Sequence, residues 1–377
     1  MSAPVTILHI FGRMNRGGAE MRTLDMMRLL DRDRFRLHFC TLSGLPGDLD
    51  HEILSLGGVV HPCRLDPGFP RRFRRLIREV RPEVVHSHVL HASGYMLRLS
   101  AAEGVPIRIA HFRSTGDGRQ PSLRRQIQGS VMRRWLNRYA TDILAVSHGA
   151  MREAWTRYYP ADERCKVIYT GIDTAPFAAD VDPIVVKREF AIPASSRTYI
   201  HVGNFTLEKN HRKLVRIWAE LVKMDPDAHL IMVGRGGTPT ELQARQMVEQ
   251  LGLSGSVHFT GSRIDVPKLL RSADTMIFPS LREGLPGVVL ESCAAGTSVV
   301  ASDLPGVVEI AAHFSSVVPK PATATDLDWA ETACQLAKMA RNRVEALRVY
   351  RTSPFSIDRA IELHEAVWAG KAGADHG

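Results

Sequence analysis

Cysteine is scarce in this chain. Its 377 residues include five, Cys40, Cys63, Cys165, Cys293 and Cys334, and no two of them form a Cys-x-x-Cys pair. An odd, scattered set excludes a disulfide framework and a cysteine zinc site, and it fits small core residues in a reducing compartment. Long apolar runs are missing too: none reaches the roughly 18 residues that cross a bilayer. The amino terminus enters a strand-like run, Val5–Phe11, with neither a charged leader nor a cleavage site. The expectation is a cytoplasmic chain without a secretory signal. No internal repeat of about 20–50 residues and no low-complexity tract is present, which excludes solenoids and arrays. Asp-x-Asp, a sign of a metal-bridged nucleotide, occurs at Asp31/Asp33, Asp48/Asp50, Asp180/Asp182, Asp225/Asp227 and Asp326/Asp328, and none clearly ends a predicted strand. No essential metal is expected.

What the chain does have is apolar content and one-sided charge. Hydrophobic residues make up 44%, ample for two cores, and at about 150 residues per domain the length suggests two domains. The net charge is +9, and its distribution is uneven. Residues 1–180 hold 27 Lys and Arg against 18 Asp and Glu, whereas residues 181–377 hold 22 of each. The surplus therefore sits in the first half and is nearly all arginine. Such asymmetry speaks of partners rather than of fold.

Two basic stretches are amphipathic. Arg71–Val80 sets Phe73, Leu76, Ile77 and Val80 on one helical face among Arg71, Arg72, Arg74, Arg75 and Arg78. Arg119–Tyr139 sets Leu123, Ile127, Val131, Trp135 and Tyr139 at four-residue steps, flanked by Arg119, Arg124, Arg125, Arg133, Arg134 and Arg138. Each stripe can face its own core with the arginines solvated. Alternatively it can lie on an anionic membrane surface with Phe73 or Trp135 inserted. Little aromatic interleaving and no recognised binding motif argue against nucleic acid.

Short apolar runs alternate with helical patterns in both halves, which predicts parallel sheets covered by helices. The expected strands of the first half are Val5–Phe11, Phe35–Thr41, Val84–His88, Ile107–His111 and Ile143–Ser147. Those of the second are Arg197–Val202, His229–Val233, Val257–Thr260, Thr275–Pro279 and Ser298–Ala301. The boundary falls near Ala175–Pro183, where Ala, Asp and Pro interrupt the pattern. The last predicted helix, Ser356–Trp368, can cross back onto the first domain.

One segment carries the most chemistry. Glu283 and Glu291 bracket Gly284-Leu285-Pro286-Gly287, a turn that follows a buried strand and opens an apolar helix. A helix start there aims free N–H groups and the positive dipole end at the turn, which suits an anion. Glu283 would stand beside that anion and Glu291 about one turn further in, within reach of a polyol. A sugar nucleotide offers both groups together. The same residues also read as a plain Gly-Pro turn before a core helix. Gly17-Gly18-Ala19-Glu20 follows the first strand in a phosphate-cradling position, or forms an ordinary tight turn. Lys209 follows Gly203 and Asn204 near a helix start, where its charge can meet a diphosphate or simply be solvated. His86 and His88 share a strand face, without an evident third metal ligand nearby. His111 ends the adjoining strand, facing a ligand or buried in the core.

On these residues the chain resembles the family 4 retaining glycosyltransferases, whose GT-B fold has two facing Rossmann-like domains. The resemblance spans nearly the whole chain: Gly17-Gly18-Ala19-Glu20, Val85-His86-Ser87-His88, Val146-Ser147, Val202-Gly203 with Lys209, Met232-Val233-Gly234, Ala273-Asp274, Glu283 to Glu291, and Ser302-Asp303 with Gly306 and Glu309. The block Ile109–Gly118 is similar to the branch acting in bacterial exopolysaccharide and capsule assembly.

The resemblance implies an α/β GT-B chain. Residues 1–178 would form an acceptor-binding domain, completed by a crossover segment at 356–377, and residues 179–355 a domain binding the nucleotide sugar. Gly17 and Gly18 would offer amides to the donor diphosphate, which Lys209 neutralises. Asn204 and Gly234 would border the donor loops. Glu283 and the turn Gly284, Leu285, Pro286 and Gly287 would hold the transferred sugar, Glu291 the ribose, and Arg263 the base pocket. His111 would touch the sugar near the reacting carbon, so that His111, Glu283 and Lys209 form the implied catalytic set. One departure stands out: Asn204 occupies a position where the family usually has arginine, so Lys209 works alone or another arginine reaches in.

The implied reaction moves a sugar from a UDP or GDP donor to a hydroxyl of a glycan or lipid-linked acceptor, with retention, in cell-surface polysaccharide synthesis. It needs no cofactor beyond the nucleotide-sugar co-substrate. Peripheral contact with the inner face of the cytoplasmic membrane is implied by the charge of the first half. The alternatives are a GT-B sugar-nucleotide epimerase, or a basic module that binds anionic lipid or nucleic acid without catalysis.

Overall fold

A computed structural model of the protein describes residues 3–116 and 122–370. Asp117, Gly118 and Arg119 of the motifs above, and the last seven residues of the expected crossover segment, lie outside the described residues. The chain divides into two compact units, Met1–Gly171 with Ser356–Gly377, and Ile172–Phe355.

Among the described residues the first unit holds one sheet of seven parallel strands: β1 (Val5–Phe11), β2 (Phe35–Thr41), β3 (Val59–Pro62), β4 (Val84–Ser87), β5 (Ile107–Phe112), β6 (Asp142–Ala145) and β7 (Cys165–Val167). Their spatial order is β3-β2-β1-β4-β5-β6-β7. The second unit holds six parallel strands: β8 (Thr198–Val202), β9 (His229–Val233), β10 (Val257–Gly261), β11 (Thr275–Phe278), β12 (Ser298–Ser302) and β13 (Val317–Lys320). Their order, β10-β9-β8-β11-β12-β13, is the doubly wound arrangement of dinucleotide-binding domains. Central strands such as β4 and β11 are buried at every residue, because helices cover both faces of a parallel sheet.

The three strands that the sequence reading missed, β3, β7 and β13, all lie at sheet edges. They are short and mostly half-exposed, so they lack the continuous apolar run by which a central strand is recognised.

Local chemistry sets the helix limits. Ser147, Thr238, Thr325 and Ser356 each accept a backbone N–H from the first turn of their helices, and Thr325 with Asp328 forms a full capping box. The helix Gly287–Ala295 ends on Gly296 at φ +72°, a left-handed position that favours glycine.

The last helix, Ile357–Trp368, belongs to the first unit, where Val367 and Trp368 join the core beside Ile7, Phe35, Phe39 and Ile109. The chain leaves and re-enters this unit at one point. A β-carbon on Gly171 would stand 2.3 Å from the Ile357 Cα, so a side chain there is excluded. The core of the second unit gathers Tyr199, Trp218, Trp329 and Ile277.

The two basic stretches fold differently. In the helix Phe69–Val80 the stripe turns inward: Phe73, Leu76 and Ile77 are buried. Arg72, Arg74 and Arg78 pair with Asp66 and Glu103 of the same unit. The expectation that Phe73 inserts into a membrane is therefore corrected, since its side chain is fully occupied by the core. The helix Leu123–Tyr139 does the opposite. Leu123 is 73% exposed, Ile127 60% and Val131 39%, while Leu136 is its buried residue. Trp135 is half-buried, stacked on Tyr95 with the Arg98 guanidinium over its ring.

Candidate functional site

In the second unit the chain winds outward in both directions from the neighbouring strands β8 and β11. Ligands of open α/β sheets bind at the carboxyl ends of strands at such a reversal. The loop after β8 leads through a tight 3-10 turn, Leu207–Lys209, into the helix His211–Met224, and the loop after β11 ends at Pro286, the cap of the helix Gly287–Ala295. Four contacts tie the two loops together. Lys209 Nζ donates to Glu283 Oε1 at 2.6 Å, and Arg282 Nη2 to Glu208 Oε1 at 3.0 Å. The Leu281 N–H donates to the Glu208 carbonyl at 2.7 Å, and Asn210 Nδ2 to the Pro279 carbonyl at 3.2 Å. Lys209 Nζ also lies 4.8 Å over the Phe278 ring, so a part-buried ammonium is held between a carboxylate and a π face.

The remaining residues expected to bind the donor have clear local duties. Asn204 Oδ1 accepts the Arg235 N–H at 2.9 Å, which joins the loops after β8 and β9. The neutral side chain at this position thus fixes the backbone of an exposed arginine. A β-carbon on Gly234 would stand 2.1 Å from the Gly203 carbonyl oxygen, so glycine is needed for this close approach. The Gly234 N–H itself is taken by the Gly261 carbonyl. Gly306 packs in the same way beneath Gly284, with its β-carbon position 2.2 Å from that carbonyl. The turn Gly284, Leu285 and Pro286 is buried on this support, and Glu291 stands half-buried one turn into the helix that follows. Arg263 is clamped by both oxygens of Asp265 at 2.8 Å and by Glu189 at 2.5 Å, and these carboxylates hold its guanidinium above the ordinary arginine range.

The first unit reverses between β1 and β4. Here the sheet register sets His9 beside His86, with His88 and His111 at the neighbouring strand ends and His364 and Trp368 supplied by the last helix. His9 Nδ1 and His88 Nε2 lie 3.0 Å apart, as do His86 Nε2 and His111 Nδ1. Trp368 Nε1 donates to His86 Nδ1 at 3.2 Å, and Arg113 Nε to His88 Nδ1 at 3.3 Å. Burial, reinforced by the Arg113 charge, pushes His9 and His364 down to about 3 and holds His86, His88 and His111 well below 6.5. Burial lowers Arg113 itself to about 10, with Glu20 opposing the shift. Glu20, raised by burial, reaches back over Gly17, whose added β-carbon would meet its Oε2 at 2.5 Å. Gly17 caps the helix Gly18–Leu29, and open space surrounds Gly18.

Two overlapping histidine trios, His9/His86/His88 and His86/His111/His364, each place a nitrogen within 4.8 Å of the others, so the fold adds third ligands to the His86 and His88 pair. The donor pattern works against an ion. His86 Nδ1 and His88 Nδ1 already accept from donor-only groups, their Nε2 atoms face other imidazoles, and the Arg113 cation stands in the cluster.

His9, Glu20, Arg113, His364 and Trp368 were not among the predicted site residues. His364 and Trp368, four apart on one helix face, offered a local signal. The placement of His9 depends on strand register, which no local pattern states.

The described helices include none long and apolar enough to cross a membrane. Family models match both halves of the chain: "Glycosyltransferase Family 4" over residues 16–176 and "Glycosyl transferases group 1" over residues 185–344. The capsular polysaccharide biosynthesis glycosyltransferase CapH of Staphylococcus aureus is 30% identical over 343 residues, which cover 88% of this chain and 90% of CapH. EpsF of Bacillus subtilis is 29% identical over 355 residues, covering 92% of this chain and 91% of EpsF. The crystal structure of HepE from Anabaena in complex with UDP shares the fold at a TM-score of 0.78 and 19% identity, over 97% of this chain and all of that one. The chain belongs to the family 4 glycosyltransferases and has their GT-B fold.

Proposed function

We propose that this glycosyltransferase moves a hexose from a nucleotide sugar to a hydroxyl of a glycan or lipid-linked acceptor in cell-surface polysaccharide synthesis, with retention at the anomeric carbon and without a metal ion. The observation that carries the reading is the Lys209–Glu283 pair at the sheet reversal of the second unit, 2.6 Å apart beside the start of the helix Gly287–Ala295. A cation and a helix N-terminus suit the negative charge that grows on a leaving diphosphate. A carboxylate suits the hydroxyls of the sugar, and Glu291 stands where it can meet the ribose. The leaving phosphate takes the acceptor proton on the same sugar face, so no protein nucleophile is required. The name of CapH supports a polysaccharide product, and the UDP in HepE supports a nucleotide donor. The epimerase and the non-catalytic binding module draw no support from these relatives.

Metal independence is supported by the duties of the Asp-x-Asp residues. Asp31, Asp50 and Asp182 accept turn or cap N–H groups, Asp225 and Asp326 pair with arginines, and Asp328 closes a capping box. Contact with an anionic membrane is supported by the exposed Leu123, Ile127 and Val131 stripe on a helix bearing five arginines and no acid.

A thermal-shift screen of UDP-, GDP-, ADP- and TDP-sugars tests the donor. A true donor at about 100 Kd stabilises the fold by roughly 2.7 kcal/mol, and NMR of the product then reads the anomeric configuration. No stabilisation by any sugar nucleotide, or an inverted product, overturns the proposal.

A further inference from the structure

We infer that Trp368 and His86 fix the tautomer of His111, so that its Nε2 carries the proton and is presented as a hydrogen-bond donor; the catalytic part of this inference rests on the proposed glycosyl transfer and on the sugar contact that the family resemblance implies for His111.

The argument runs through three groups. The indole Nε1–H of Trp368 can only donate, and it lies 3.2 Å from His86 Nδ1. That nitrogen is therefore unprotonated. A neutral His86 must carry its proton on Nε2, which lies 3.0 Å from His111 Nδ1. His111 Nδ1 accepts it, which leaves the His111 proton on Nε2. Burial keeps these imidazoles neutral, as the assignment requires. His111 is 1% exposed, and its Nε2 has no hydrogen-bond partner among the described residues. A buried donor without a partner is costly, so it is a group held ready for an acceptor that arrives.

The first member of the relay is fixed by packing. Trp368 is 1% exposed, stands edge-on to His86 at 71° and His9 at 81°, and packs against Phe35 at 5.6 Å between centroids. The carboxyl-terminal helix thus positions a histidine on β5 without touching it by hydrogen bond. A parallel pair follows the same rule: Arg113 Nε donates to His88 Nδ1, and His88 Nε2 faces His9 Nδ1 at 3.0 Å.

Long-range proton–nitrogen NMR of the full chain with ring-labelled histidine reads the tautomers without any ligand. The wild type is expected to show Nε2–H at both His86 and His111. Trp368→Phe keeps an aromatic ring but removes the donor, and His86→Leu removes the relay, so both are expected to populate Nδ1–H at His111. His86→Gln retains an N–H toward His111 and is expected to restore Nε2–H there. With the sugar nucleotide selected by the thermal-shift screen, kcat should fall about tenfold in Trp368→Phe and His86→Leu, one hydrogen bond's worth. KM should stay within about twofold, and His86→Gln should recover most of kcat. A wild-type His111 protonated on Nδ1 overturns the inference even if every variant fails to fold. Unchanged tautomers in folded Trp368→Phe and His86→Leu overturn it as well. Full turnover by His111→Ala instead overturns the role of His111 in catalysis while leaving the tautomer result standing.

Discussion

The Lys209 ammonium donates to the Glu283 carboxylate at 2.6 Å although 74 positions separate them in sequence. The adjacent strands β8 and β11 bring their loops together, and Asn210 and Glu208 lock the two turns in place. Each charge balances the other in this structure, and the proposed reaction has a donor phosphate meet the lysine and sugar hydroxyls meet the glutamate.

This pairing makes the two residues energetically coupled. Lys209→Ala should lower turnover by about 10²–10³, the usual cost of removing one group that stabilises developing negative charge. Glu283→Gln should cost about 10–100-fold through loss of a charge-assisted hydrogen bond to the sugar. The double variant should lose less than the product of the two factors, since each single change leaves its partner uncompensated. Steady-state kinetics of the three proteins provide the cycle. Unchanged kcat and KM in Lys209→Ala would assign the diphosphate to another cation, and full activity in folded Glu283→Gln would remove this carboxylate from the site.

Stability should fall in mild acid, with the histidine cluster as the cause. His9 and His364 stay neutral in the fold down to about 3, and His86, His88 and His111 are depressed as well. The unfolded chain takes up protons below about 6.5 while the folded chain does not, so the stabilisation present above 6.5 is lost as pH falls toward the folded values. Each such histidine contributes about 1.4 kcal/mol per pH unit in that window. Thermal melts between pH 7.5 and pH 5 should show a steep decline that His9→Gln or His364→Gln makes shallower. A flat profile would mean that the cluster titrates normally.

Chelation should leave turnover unchanged, because at least one carboxylate of each Asp-x-Asp pair is engaged in a cap, a turn or an ion pair. Activity lost in EDTA and restored by magnesium or manganese would assign an ion to the donor phosphates.

Vesicle co-sedimentation should separate the two basic helices. Binding to anionic vesicles is expected at low salt and should fall as salt rises. Ile127→Asp with Val131→Asp, or Arg124→Glu with Arg125→Glu, should abolish it, since these residues form the exposed stripe and its flank. Arg72→Glu with Arg78→Glu should matter less, because those arginines already pair with Asp66 and Glu103. Protein that stays in the supernatant at low salt would leave a soluble acceptor as the partner.

Composition and local pattern were enough to set the class of the fold and the character of its loops. The limits of β1, β2 and β9 match the strand runs read from the chain, because their buried residues are mostly apolar and mark each run out from the turns that flank it. The Glu283–Glu291 segment was legible for the same reason: glycines, proline and a helix start are local chemistry. Which residues meet depends on packing between elements distant in the chain. Edge strands β3, β7 and β13 form because neighbours supply their hydrogen bonds, and their residues carry little signal of their own. Two basic helices of similar pattern part ways, one burying its stripe and one exposing it, since periodicity states that a face exists and not what covers it. His9, His111 and Trp368 are far apart in the chain, and only strand register and the returning helix place their ring nitrogens within hydrogen-bonding reach of His86 and His88, with His364 in ring contact beside them.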